Sequence, residues 1–467
     1  MTGLPLRVAI IGAGPAAFYA TDHLLKQSPS VEVDMFDRLP TPYGLVRHGV
    51  APDHQKIKSV VKGFAAVAGD ARFHFFGNVE YGRDIDLAGL GAYYHQVLFA
   101  TGAQTDRRMN IPGEDLAGSH PATEFVAWYN GHPTYRDEHF DLQTPAAVVV
   151  GVGNVAIDVA RMLSRDAHEL AATDMARHAV AALSASHVRD VYVLGRRGPA
   201  QAAFTTPELK ELSELPNVDL VIDPAEAALD PLSAAELERA NDPVLRRKVD
   251  LIQALAGRPL AGRPRRLHLR FLVSPEELVD DGRGRVGAVR VVSNELVASG
   301  TGSLSAKPTA RRETIPAGLV FRSVGYRGVE LPGLPFDSRW GVIANTGGRI
   351  CDPASNETIP GLYTAGWIKR GPSGVIGTNK ADAVETVAAM LADAAAGVSL
   401  HPAHPTSAEA ATYIGSRCTR PVSFADWQRL DAMEVEAGAR AGCPRVKFSS
   451  VTDMLAALAG EGGPPGN

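Results

Sequence analysis

The chain begins with a pattern of apolar and small residues that is typical of a buried strand and a tight turn. Val8–Ile11 is a continuous apolar run, and Gly12-x-Gly14-x-x-Ala17 comes directly after it. An apolar segment compatible with a helix continues to about Leu25. A short continuous apolar run predicts a strand that is buried on both faces of a parallel sheet. We therefore expect a strand, a glycine turn and a helix in succession.

The same order of residues recurs in the middle of the chain. The apolar residues 146–150 precede Gly151-x-Gly153-Asn154-Val155-Ala156, and a helix-compatible segment continues through Leu163. In such units the first glycine permits the sharp turn and the second lets backbone approach a pyrophosphate, which the helix N-terminus faces. Two units in one chain predict an α/β protein with two Rossmann-like dinucleotide-binding domains in a glutathione-reductase-like architecture.

The residues after the second strand of each unit predict two different cofactors. Val31–Phe36 leads to Asp37, whose carboxylate is placed to bind a ribose, and this unit is predicted to bind FAD. Val188–Leu194 instead leads to Gly195-Arg196-Arg197-Gly198, which has no acid. Two guanidinium groups suit the 2′-phosphate of NADP, which an acid would repel. The alternative for the two arginines is a solvated pair in a loop.

Small-residue turns predict the domain boundaries. A strand closes in Ala100-Thr101-Gly102-Ala103, and Gly361–Trp367 delivers a second such turn ahead of a helix. We expect the second turn to bring the chain back to the first domain. The predicted organisation is an FAD-binding domain in two parts, 1–104 and 329–467, with a helical C-terminal tail, and an inserted NADP-binding domain over 105–328.

Two segments carry candidate polar chemistry. The loop after Asp37 is rich in proline and glycine, which predicts an extended chain that carries His54, followed by a helix over 57–68. His54 is either a proton-handling group near the redox centre or a surface histidine. Glu208 and Glu211 lie three apart on a predicted helix and so share a face. They are candidate site residues, or acids that the dipole favours in a first turn.

A basic run in residues 224–266 is a candidate docking surface. This segment is predicted to be polar and helical, and it includes Arg246, Arg247 and Lys248. A local basic cluster can dock an acidic partner, although a solvated helix face has the same composition. Lys369 and Arg370, beside the second small-residue turn, form a second candidate.

Composition narrows the class of protein. The chain has 467 residues, of which 45% are hydrophobic and 21% are charged, and these fractions are typical of a globular protein. Its formal net charge of -5 gives no overall attraction to nucleic acid or an anionic membrane. The three cysteines, Cys351, Cys418 and Cys443, are far apart and have no metal-site or CxxC spacing. No apolar stretch is long enough for a membrane span. We expect a cytoplasmic protein without a metal, a leader or a membrane segment.

Five long motifs resemble one family, the adrenodoxin-reductase-type NADPH–ferredoxin reductases. They are PTPYGLVRHGVAPDHQKIKSV, GVGNVAIDVARML, GRRGPAQAAFTTPELKEL, GWIKRGPSGVIGTNKADA and RPVSFADWQRLDAMEVEAG. The resemblance covers essentially the whole chain. The chain departs from the family at Asp37, where a glutamate is frequent. The transit peptide of mitochondrial members is also missing from the sequence, which favours a bacterial cytoplasmic form. Trp367 stands where many related flavoproteins have an aspartate.

The resemblance implies a set of site residues and a partner. The implied FAD contacts are Gly12, Gly14, Pro15, Ala16, Asp37, Leu45, Val79, Trp367, Gly374, Val375 and Ile376. The implied NADP contacts are Arg107, Gly153, Asn154, Val155, Ala156, Arg196, Arg197, Glu208 and Gly374. His54, Asp158 and Glu211 match polar positions near the nicotinamide and the flavin. The implied partner is an acidic ferredoxin-type iron–sulfur protein, and the chain is expected to be a monomer.

The implied reaction is hydride transfer from NADPH to FAD, followed by single-electron transfer to the partner. A dithiol reductase would need a cysteine pair beside the flavin, and the sequence has none. The alternatives are a flavin monooxygenase, a subunit like the small chain of glutamate synthase, which would carry cluster cysteines, and a non-catalytic NADPH-binding subunit.

Overall fold

The computed structural model describes residues 5–299, 303–463 and 465. The strands are β1 (Leu6–Ile11), β2 (Val31–Asp37), β3 (Phe73–Gly77), β4 (Gln96–Phe99), β5 (Thr105–Asp106), β6 (Ser119–Pro121), β7 (Ala146–Val150), β8 (Asp190–Leu194), β9 (Val218–Val221), β10 (Arg265–Arg270), β11 (Val273–Asp280), β12 (Val286–Ala298), β13 (Leu304–Pro316), β14 (Leu319–Arg322), β15 (Tyr326–Arg327), β16 (Phe336–Asp337), β17 (Val342–Ile343), β18 (Asn345–Thr346), β19 (Arg349–Cys351) and β20 (Thr358–Thr364).

The helices occupy most of the remaining chain. They are α1 (Pro15–Gln27), α2 (Leu45–His48), α3 (Gln55–Lys58), α4 (Val61–Ala68), α5 (Leu87–Tyr93), α6 (Ala122–Tyr129), α7 (Asn154–Ser164), α8 (Ala167–Ala171), α9 (Arg177–Ser184), α10 (Thr206–Ser213), α11 (Pro224–Ala227), α12 (Pro231–Ala240), α13 (Pro243–Ala256), α14 (Trp367–Arg370), α15 (Thr378–Ala395), α16 (Ser407–Arg417), α17 (Phe424–Ala441) and α18 (Val451–Ala459). Among the described residues, no helix combines the length and the apolar character that a bilayer crossing requires.

The chain divides into two compact units. The first unit combines residues up to Thr105 with those from Tyr326 onwards, and the second unit is Asp106–Gly325. The predicted boundaries, after residues 104 and 328, lie close to these limits. The cofactor of each predicted domain stays a prediction at this point.

The first unit is built on a seven-stranded sheet in the order β18-β19-β20-β4-β1-β2-β3. The strands from β20 to β3 are parallel, and β18 and β19 are antiparallel additions at one edge. Val8 and Ile10 of β1 pack in the apolar cluster on one face, and Ala9 and Ile11 pack on the other face. Burial on both faces is the reason why β1 is a continuous apolar run.

The second unit contains a six-stranded parallel sheet and a separate antiparallel sheet. The parallel strands lie in the order β6-β14-β7-β8-β10-β9, and β11, β12 and β13 form the antiparallel sheet. Along β7, Ala147 and Val149 face one apolar cluster, and Val148 and Val150 face another. The predicted α/β class and the two Rossmann-like folds are therefore confirmed.

The loop after β2 was predicted to be extended, and this prediction is wrong in part. Leu45–His48 forms the single-turn helix α2 between Gly44 and Gly49. Gly44, with a φ of 49°, precedes the helix, and the Gly49 N–H donates to the Leu45 carbonyl at its end. The two glycines therefore flank a short helix, although their presence was the reason to expect no helix here.

The helix predicted over 57–68 is divided into α3 and α4. The Ser59 hydroxyl donates to the carbonyl of Lys56 at 2.6 Å, which ends α3 by competing for a helical acceptor. Two further predicted bounds differ. Arg265 and Arg266 belong to strand β10 and not to a polar helix, and the helix after the second turn begins at Thr378.

The C-terminal residues form three helices in the first unit. A capping box begins α17, because the Ser423 hydroxyl accepts from the Asp426 N–H while the Asp426 carboxylate accepts from the Ser423 N–H. Gly442, with a φ of 70°, ends the helix. The ring of Phe424 packs edge-on against Phe73 of β3, with a centroid distance of 6.4 Å, so this segment belongs to the core of the unit.

Candidate functional site

The two glycine loops are held by matching backbone hydrogen bonds, each within its own unit. In the first unit the Gly12 N–H donates to the Phe36 carbonyl at 2.8 Å. In the second unit the Gly151 N–H donates to the Leu194 carbonyl at 2.9 Å. Each bond ties the turn after the central strand to the end of the next strand, so the two loops begin with the same geometry.

The first glycine of each loop is required by its backbone and by its neighbours. Gly12 has a φ of +102°, and a Cβ on it would lie 2.6 Å from the Ala100 carbonyl oxygen. Gly151 has a φ of +129°, and its Cβ would lie 2.2 Å from the Ser323 carbonyl oxygen. Both conformations disfavour side chains, and both neighbours are rigid backbone after an adjacent strand.

The second glycine of each loop faces open space instead. Apart from its own turn of chain, no atom of the described residues lies within 4 Å of a Cβ built on Gly14 or on Gly153. These glycines cap α1 and α7, and neither helix has a side-chain cap on its first N–H groups. An open approach to uncapped N–H groups at a helix N-terminus fits a pyrophosphate. The backbone of each loop therefore fits the pyrophosphate of a dinucleotide.

At the end of β2, the Asp37 carboxylate is oriented by two backbone donors. One oxygen accepts from the Ala13 N–H at 3.0 Å and the other accepts from the Leu39 N–H at 2.9 Å. Burial raises the pKa of Asp37 to about 6, against the lowering effect of these two hydrogen bonds. The first glycine loop and the acid are thus part of one hydrogen-bonded unit, which fits an adenosine ribose.

At the matching position of the second unit, the arginine pair is anchored through its backbone. Arg196 is exposed and Arg197 is half-buried, and neither guanidinium has an ion-pair partner within the described residues. The side-chain amide of Asn294 donates to the Arg196 carbonyl at 2.9 Å, and the Leu272 N–H donates to the Arg197 carbonyl at 3.1 Å. Two available guanidinium groups on a fixed backbone fit a 2′-phosphate.

Asn294 is a site residue that the sequence did not reveal. It lies in β12 at the point where the register with β13 shifts, and it is buried. A bulge turns a side chain out of the regular ladder, which lets this amide reach the arginine loop. An asparagine inside an apolar strand pattern, VVSNELV, is the one signal that was available.

Several implied FAD contacts of the first unit lie next to the first glycine loop. A Cβ on Gly366 would meet the Ala16 side chain at 2.7 Å, so the turn that begins α14 lies against the start of α1. Trp367 is the next residue in this turn, and its indole nitrogen is buried without a hydrogen-bond partner among the described residues. An unsatisfied buried donor fits a bound cofactor with acceptor atoms.

The other implied FAD positions are distributed over three loops of the first unit. Leu45 begins α2 and is partly exposed, and Val79 is buried after β3, where its N–H donates to the Asp37 carbonyl at 2.9 Å. Gly374, with a φ of +80°, lies between α14 and α15, followed by exposed Val375 and half-buried Ile376. Their contacts with FAD stay predictions.

His54 lies immediately before helix α3 in the first unit. Its carbonyl accepts from the Ile57 and Lys58 N–H groups, both at 3.1 Å, so its backbone is fixed as the cap of that helix. The side chain is half-buried. A proton-handling role for His54 stays a prediction.

The second unit contains an ionic group that links two predicted site residues. Arg161 is almost fully buried and donates to the Asp158 carboxylate at 2.7 Å, one helical turn along α7. The same guanidinium lies 3.6 Å from the Glu211 carboxylate of α10. Asp158 and Glu211 are thus joined through Arg161, which is not among the predicted site residues. Its signal was the i,i+3 spacing of Asp158 and Arg161 on one helix.

Asn154, Glu208 and Arg107 are further implied NADP positions of the second unit, whereas Gly374, which is implied for both cofactors, belongs to the first unit. Asn154 accepts from the Thr205 N–H at 2.9 Å, which joins the glycine loop to the start of α10. The Glu208 and Glu211 carboxylates lie within 4.8 Å of each other, as their spacing on one face of α10 predicts, although Glu208 is buried and Glu211 is exposed. Arg107 is exposed, and its N–H donates to the Gly325 carbonyl at 2.8 Å. Their contacts with NADP stay predictions.

The candidate docking cations are not all available, and two of these predictions are wrong. Lys248 is buried, its ammonium donates to the Ala202 carbonyl, and burial lowers its pKa. Lys369 is also buried, with its ammonium 2.6 Å from Glu385 and 3.1 Å from Asp382. Arg246 and Arg247 are exposed on α13, and Arg370 is half-buried with a bond of 2.9 Å to Asn379.

Two dinucleotide cradles with different strand ends define a flavoprotein oxidoreductase with one FAD-type and one NADP-type fold. A family model described as pyridine nucleotide-disulphide oxidoreductase matches residues 6–198. The chain is 47% identical to the NADPH-ferredoxin reductase FprA of Mycobacterium tuberculosis, over 97% of this chain and 98% of that protein. It is 41% identical to the mitochondrial NADPH:adrenodoxin oxidoreductase of Arabidopsis thaliana, over 97% of this chain and 96% of that protein.

The fold agrees with a solved relative along its whole length. The structure of Mycobacterium tuberculosis FprA in complex with NADPH matches with a TM-score of 0.91 and 46% identity, over 97% of this chain and 100% of that chain. The chain belongs to the adrenodoxin-reductase-type family of NADPH–ferredoxin reductases.

Proposed function

We propose that this chain is an NADPH-dependent flavoprotein reductase whose FAD, when bound, accepts a hydride from NADPH and releases the electrons singly to a ferredoxin-type iron–sulfur protein. The observation that carries the proposal is the pair of matched glycine loops, one beside Asp37 and the other beside Arg196 and Arg197. The names of full-length relatives support the same reaction.

The first unit binds FAD through residues of several loops. The N–H groups at the start of α1 bind the pyrophosphate, and the Asp37 carboxylate accepts from the adenosine ribose. Trp367 donates its unsatisfied indole N–H. Backbone donors that are fixed before the cofactor arrives lose little entropy on binding, which favours tight retention.

The second unit binds NADPH and selects it over NADH. The start of α7 binds the pyrophosphate, and Arg196 and Arg197 bind the 2′-phosphate with charge-assisted hydrogen bonds. Glu208 and Arg107 complete this set of contacts. The domain limits proposed for the two cofactors are 1–104 with 329–467 for FAD and 105–328 for NADP.

His54, Asp158 and Glu211 orient the reacting groups or move protons, and none of them carries hydride. The Arg161 guanidinium keeps Asp158 and Glu211 in fixed positions. Because alignment and not covalent chemistry is the contribution of these side chains, the His54→Ala variant should slow flavin reduction without abolishing it.

Anaerobic stopped-flow spectroscopy tests the proposed reaction. Mixing the FAD-loaded protein with NADPH should bleach the flavin absorbance, and a second mixing step with an oxidised ferredoxin should produce reduced ferredoxin in single-electron steps. Flavin that NADPH cannot reduce would contradict the proposal. NADPH oxidation that depends on oxygen and an organic substrate, without transfer to any ferredoxin, would indicate a monooxygenase instead.

The partner is proposed to be an acidic ferredoxin that docks on Arg246 and Arg247. The chain has a net charge of -5, so the overall charge repels an acidic partner and docking needs a local positive surface. Both arginines are exposed on α13, and Val244 beside them is 63% exposed, which adds apolar contact area. Screening limits their attraction to about 8 Å at physiological salt, so contact must be close.

Charge reversal separates docking from catalysis. The Arg246→Glu/Arg247→Glu variant should reduce ferredoxin several-fold more slowly at low salt, and the difference should shrink as salt is raised. Reduction of ferricyanide should be unchanged, because a small acceptor needs no docking surface. The Arg283→Glu variant reverses another exposed arginine of the same unit and serves as the control. If all variants behave alike, the partner docks elsewhere.

The proposal also includes the oligomeric state, the cellular compartment and the type of electron acceptor. The chain acts as a monomer in the cytoplasm, and its acceptor is a plant- or bacterial-type ferredoxin or an adrenodoxin-type protein. Comparing the second-order rate constants for these two acceptor types decides the enzyme subclass.

A further inference from the structure

The C-terminal part of the first unit contains a buried ionic group that the implied cofactor contacts do not include. Glu434 of α17 is fully buried, and its two oxygens accept from the Arg47 guanidinium of α2 at 2.9 and 2.5 Å. Arg445 and the Phe448 N–H donate to the same carboxylate at 3.1 and 2.8 Å. A bidentate pair with two further donors holds its partners in one geometry.

Glu434 is charged in this site. Burial acts to raise its pKa, but the charges and hydrogen bonds of Arg47 and Arg445 outweigh burial and lower the pKa below its usual value. Loss of the carboxylate charge would leave the buried Arg47 guanidinium without its ion-pair partner, whereas the partly exposed Arg445 would keep Asp431, so breaking the Arg47–Glu434 pair is costly.

Arg47 is held on three sides by the C-terminal segment. Besides Glu434, the Trp427 ring lies 5.0 Å from the guanidinium carbon, and the Lys447 ammonium donates to the Arg47 carbonyl at 3.3 Å. Arg47 lies in α2, between the implied FAD contact Leu45 and the predicted site residue His54. The position of this whole loop therefore depends on residues far away in the sequence.

Helix α2 is joined in turn to the first glycine loop. The Tyr43 N–H donates to the Ala13 carbonyl at 2.8 Å, and a Cβ on Gly44 would lie 3.0 Å from the Gly14 Cα. The Tyr43 ring packs edge-on against Trp427, with a centroid distance of 5.9 Å. A displacement of α2 would consequently move backbone that lies against the pyrophosphate cradle.

The same C-terminal segment also holds the loop after β3. Gly77 and Val422 exchange two backbone hydrogen bonds, each of 2.8 Å. The Asn78 side-chain amide donates to the Arg420 carbonyl at 3.1 Å. Val79, an implied FAD contact, is the next residue.

We propose that residues 418–448 form a structural part of the FAD site, in which Glu434 is a positioning residue that holds α2 against the first glycine loop through Arg47. Glu434 is fully enclosed by protein and acts on the FAD site through Arg47. The proposal rests on the proposed function only for the assignment of FAD to the first unit.

FAD retention in matched variants tests the proposal. The full-length Glu434→Gln variant, which keeps the shape and loses the charge, should bind FAD at least tenfold more weakly, measured by the flavin fluorescence that appears on release. Arg47→Lys, which keeps the charge and loses the bidentate geometry, should show a smaller loss in the same direction. NADP+ affinity, measured by titration, should not change in either variant.

The Glu436→Gln variant is the control. Glu436 lies on the same helix in an exposed pair with Arg440, at 3.5 Å, and its removal should leave FAD affinity unchanged. The double variant Arg47→Lys/Glu434→Gln should have the same FAD affinity as the single variant with the larger loss, because both changes act through one contact.

Three results would overturn the proposal. They are wild-type FAD affinity in Glu434→Gln, additive losses in the double variant, and parallel loss of FAD and NADP+ binding in Arg47→Lys. The third result would assign the pair to folding of the chain as a whole. A wild-type protein that binds no FAD would refute the proposed function instead, so the two failures are distinguishable.

Discussion

The two glycine loops are nearly identical in backbone, whereas the residues after the neighbouring strands are opposite in charge. Each loop starts with a glycine of positive φ packed against a backbone carbonyl, and each continues with a glycine that faces open space. In the first unit the next strand ends in Asp37, which is hydrogen-bonded to the loop itself. In the second unit it ends before Arg196 and Arg197, and the Arg196 carbonyl is bonded by Asn294 of another sheet.

This difference shows how one fold distinguishes two dinucleotides. The pyrophosphate is common to FAD and NADP, and the common backbone binds it. The adenosine ribose carries the distinguishing group, and the residues at the strand end meet it with an acceptor or with two donors. Variants of the common and of the distinguishing residues should therefore have separable effects.

The largest effect is expected from the arginine pair. Two arginine–phosphate hydrogen bonds contribute roughly 1.5–3 kcal/mol each, so the Arg196→Ala/Arg197→Ala variant should raise the KM for NADPH by about 10²-fold or more. The KM for NADH should hardly change, because NADH lacks the phosphate. Arg283→Ala provides the control. Equal effects on the two nucleotides would contradict the 2′-phosphate assignment.

Substitution of the second glycine of either loop by alanine should lower the affinity for the cofactor of that loop only. Gly14 and Gly153 have φ values of -84° and -97°, which alanine adopts, so both Gly→Ala variants should fold. The added methyl group occupies the approach of the pyrophosphate and should cost about tenfold in affinity, or about 1.4 kcal/mol. Gly14→Ala should weaken FAD alone and Gly153→Ala should weaken NADP+ alone, measured by titration.

The control for this pair is Gly63→Ala, a glycine in α4 that also has room for a Cβ. It should leave both affinities unchanged. If Gly14→Ala weakened NADP+ and spared FAD, the cofactor assignment of the two units would be reversed.

A smaller effect is expected from the anchor of the arginine loop. Asn294→Ala removes the hydrogen bond to the Arg196 carbonyl, and a hydrogen bond worth about 1 kcal/mol corresponds to a rise of about fivefold in the KM for NADPH. The KM for NADH reports any general damage to the fold and should stay constant. Ser274→Ala removes the other acceptor of the Asn294 amide and is the matched control.

The smallest expected effect is a pH dependence of FAD affinity. Burial raises the pKa of Asp37 to about 6 in the protein without FAD, and a ribose needs the ionised carboxylate as acceptor. Affinity should therefore be constant above this pKa and fall as the pH drops through it, by about fourfold between pH 7.5 and pH 5.5. In Asp37→Asn the affinity should be lower at pH 7.5 and independent of pH. A persistent dependence in that variant would assign the titration to another group.

Local patterns were sufficient to predict the two cradles. The glycine spacing, the apolar strand before it and the strand-end residues lie within short segments of sequence, and each has a direct physical reason. The return of the chain to the first sheet through β20 was also predictable, because a small-residue turn before a helix repeats the same local device.

Residues whose role depends on distant partners were not predictable in this way. Asn294 and Glu434 act on loops that are far away in the sequence, and no local period indicates these pairs. The prediction for Lys248 was wrong because a run of basic residues in the sequence does not by itself show which of them lie on the exposed face of the helix. Lys248 lies four residues before the buried Ile252, and this spacing places both on the inner face of α13.

The central claim is that FAD occupies the first glycine loop and NADP the second. A crystal structure of the protein with FAD and NADP+ is the decisive test. We expect FAD density along the start of α1, with the adenosine ribose at Asp37, and the NADP 2′-phosphate between Arg196 and Arg197. Density for FAD at the start of α7, or a 2′-phosphate away from both arginines, would contradict the assignment.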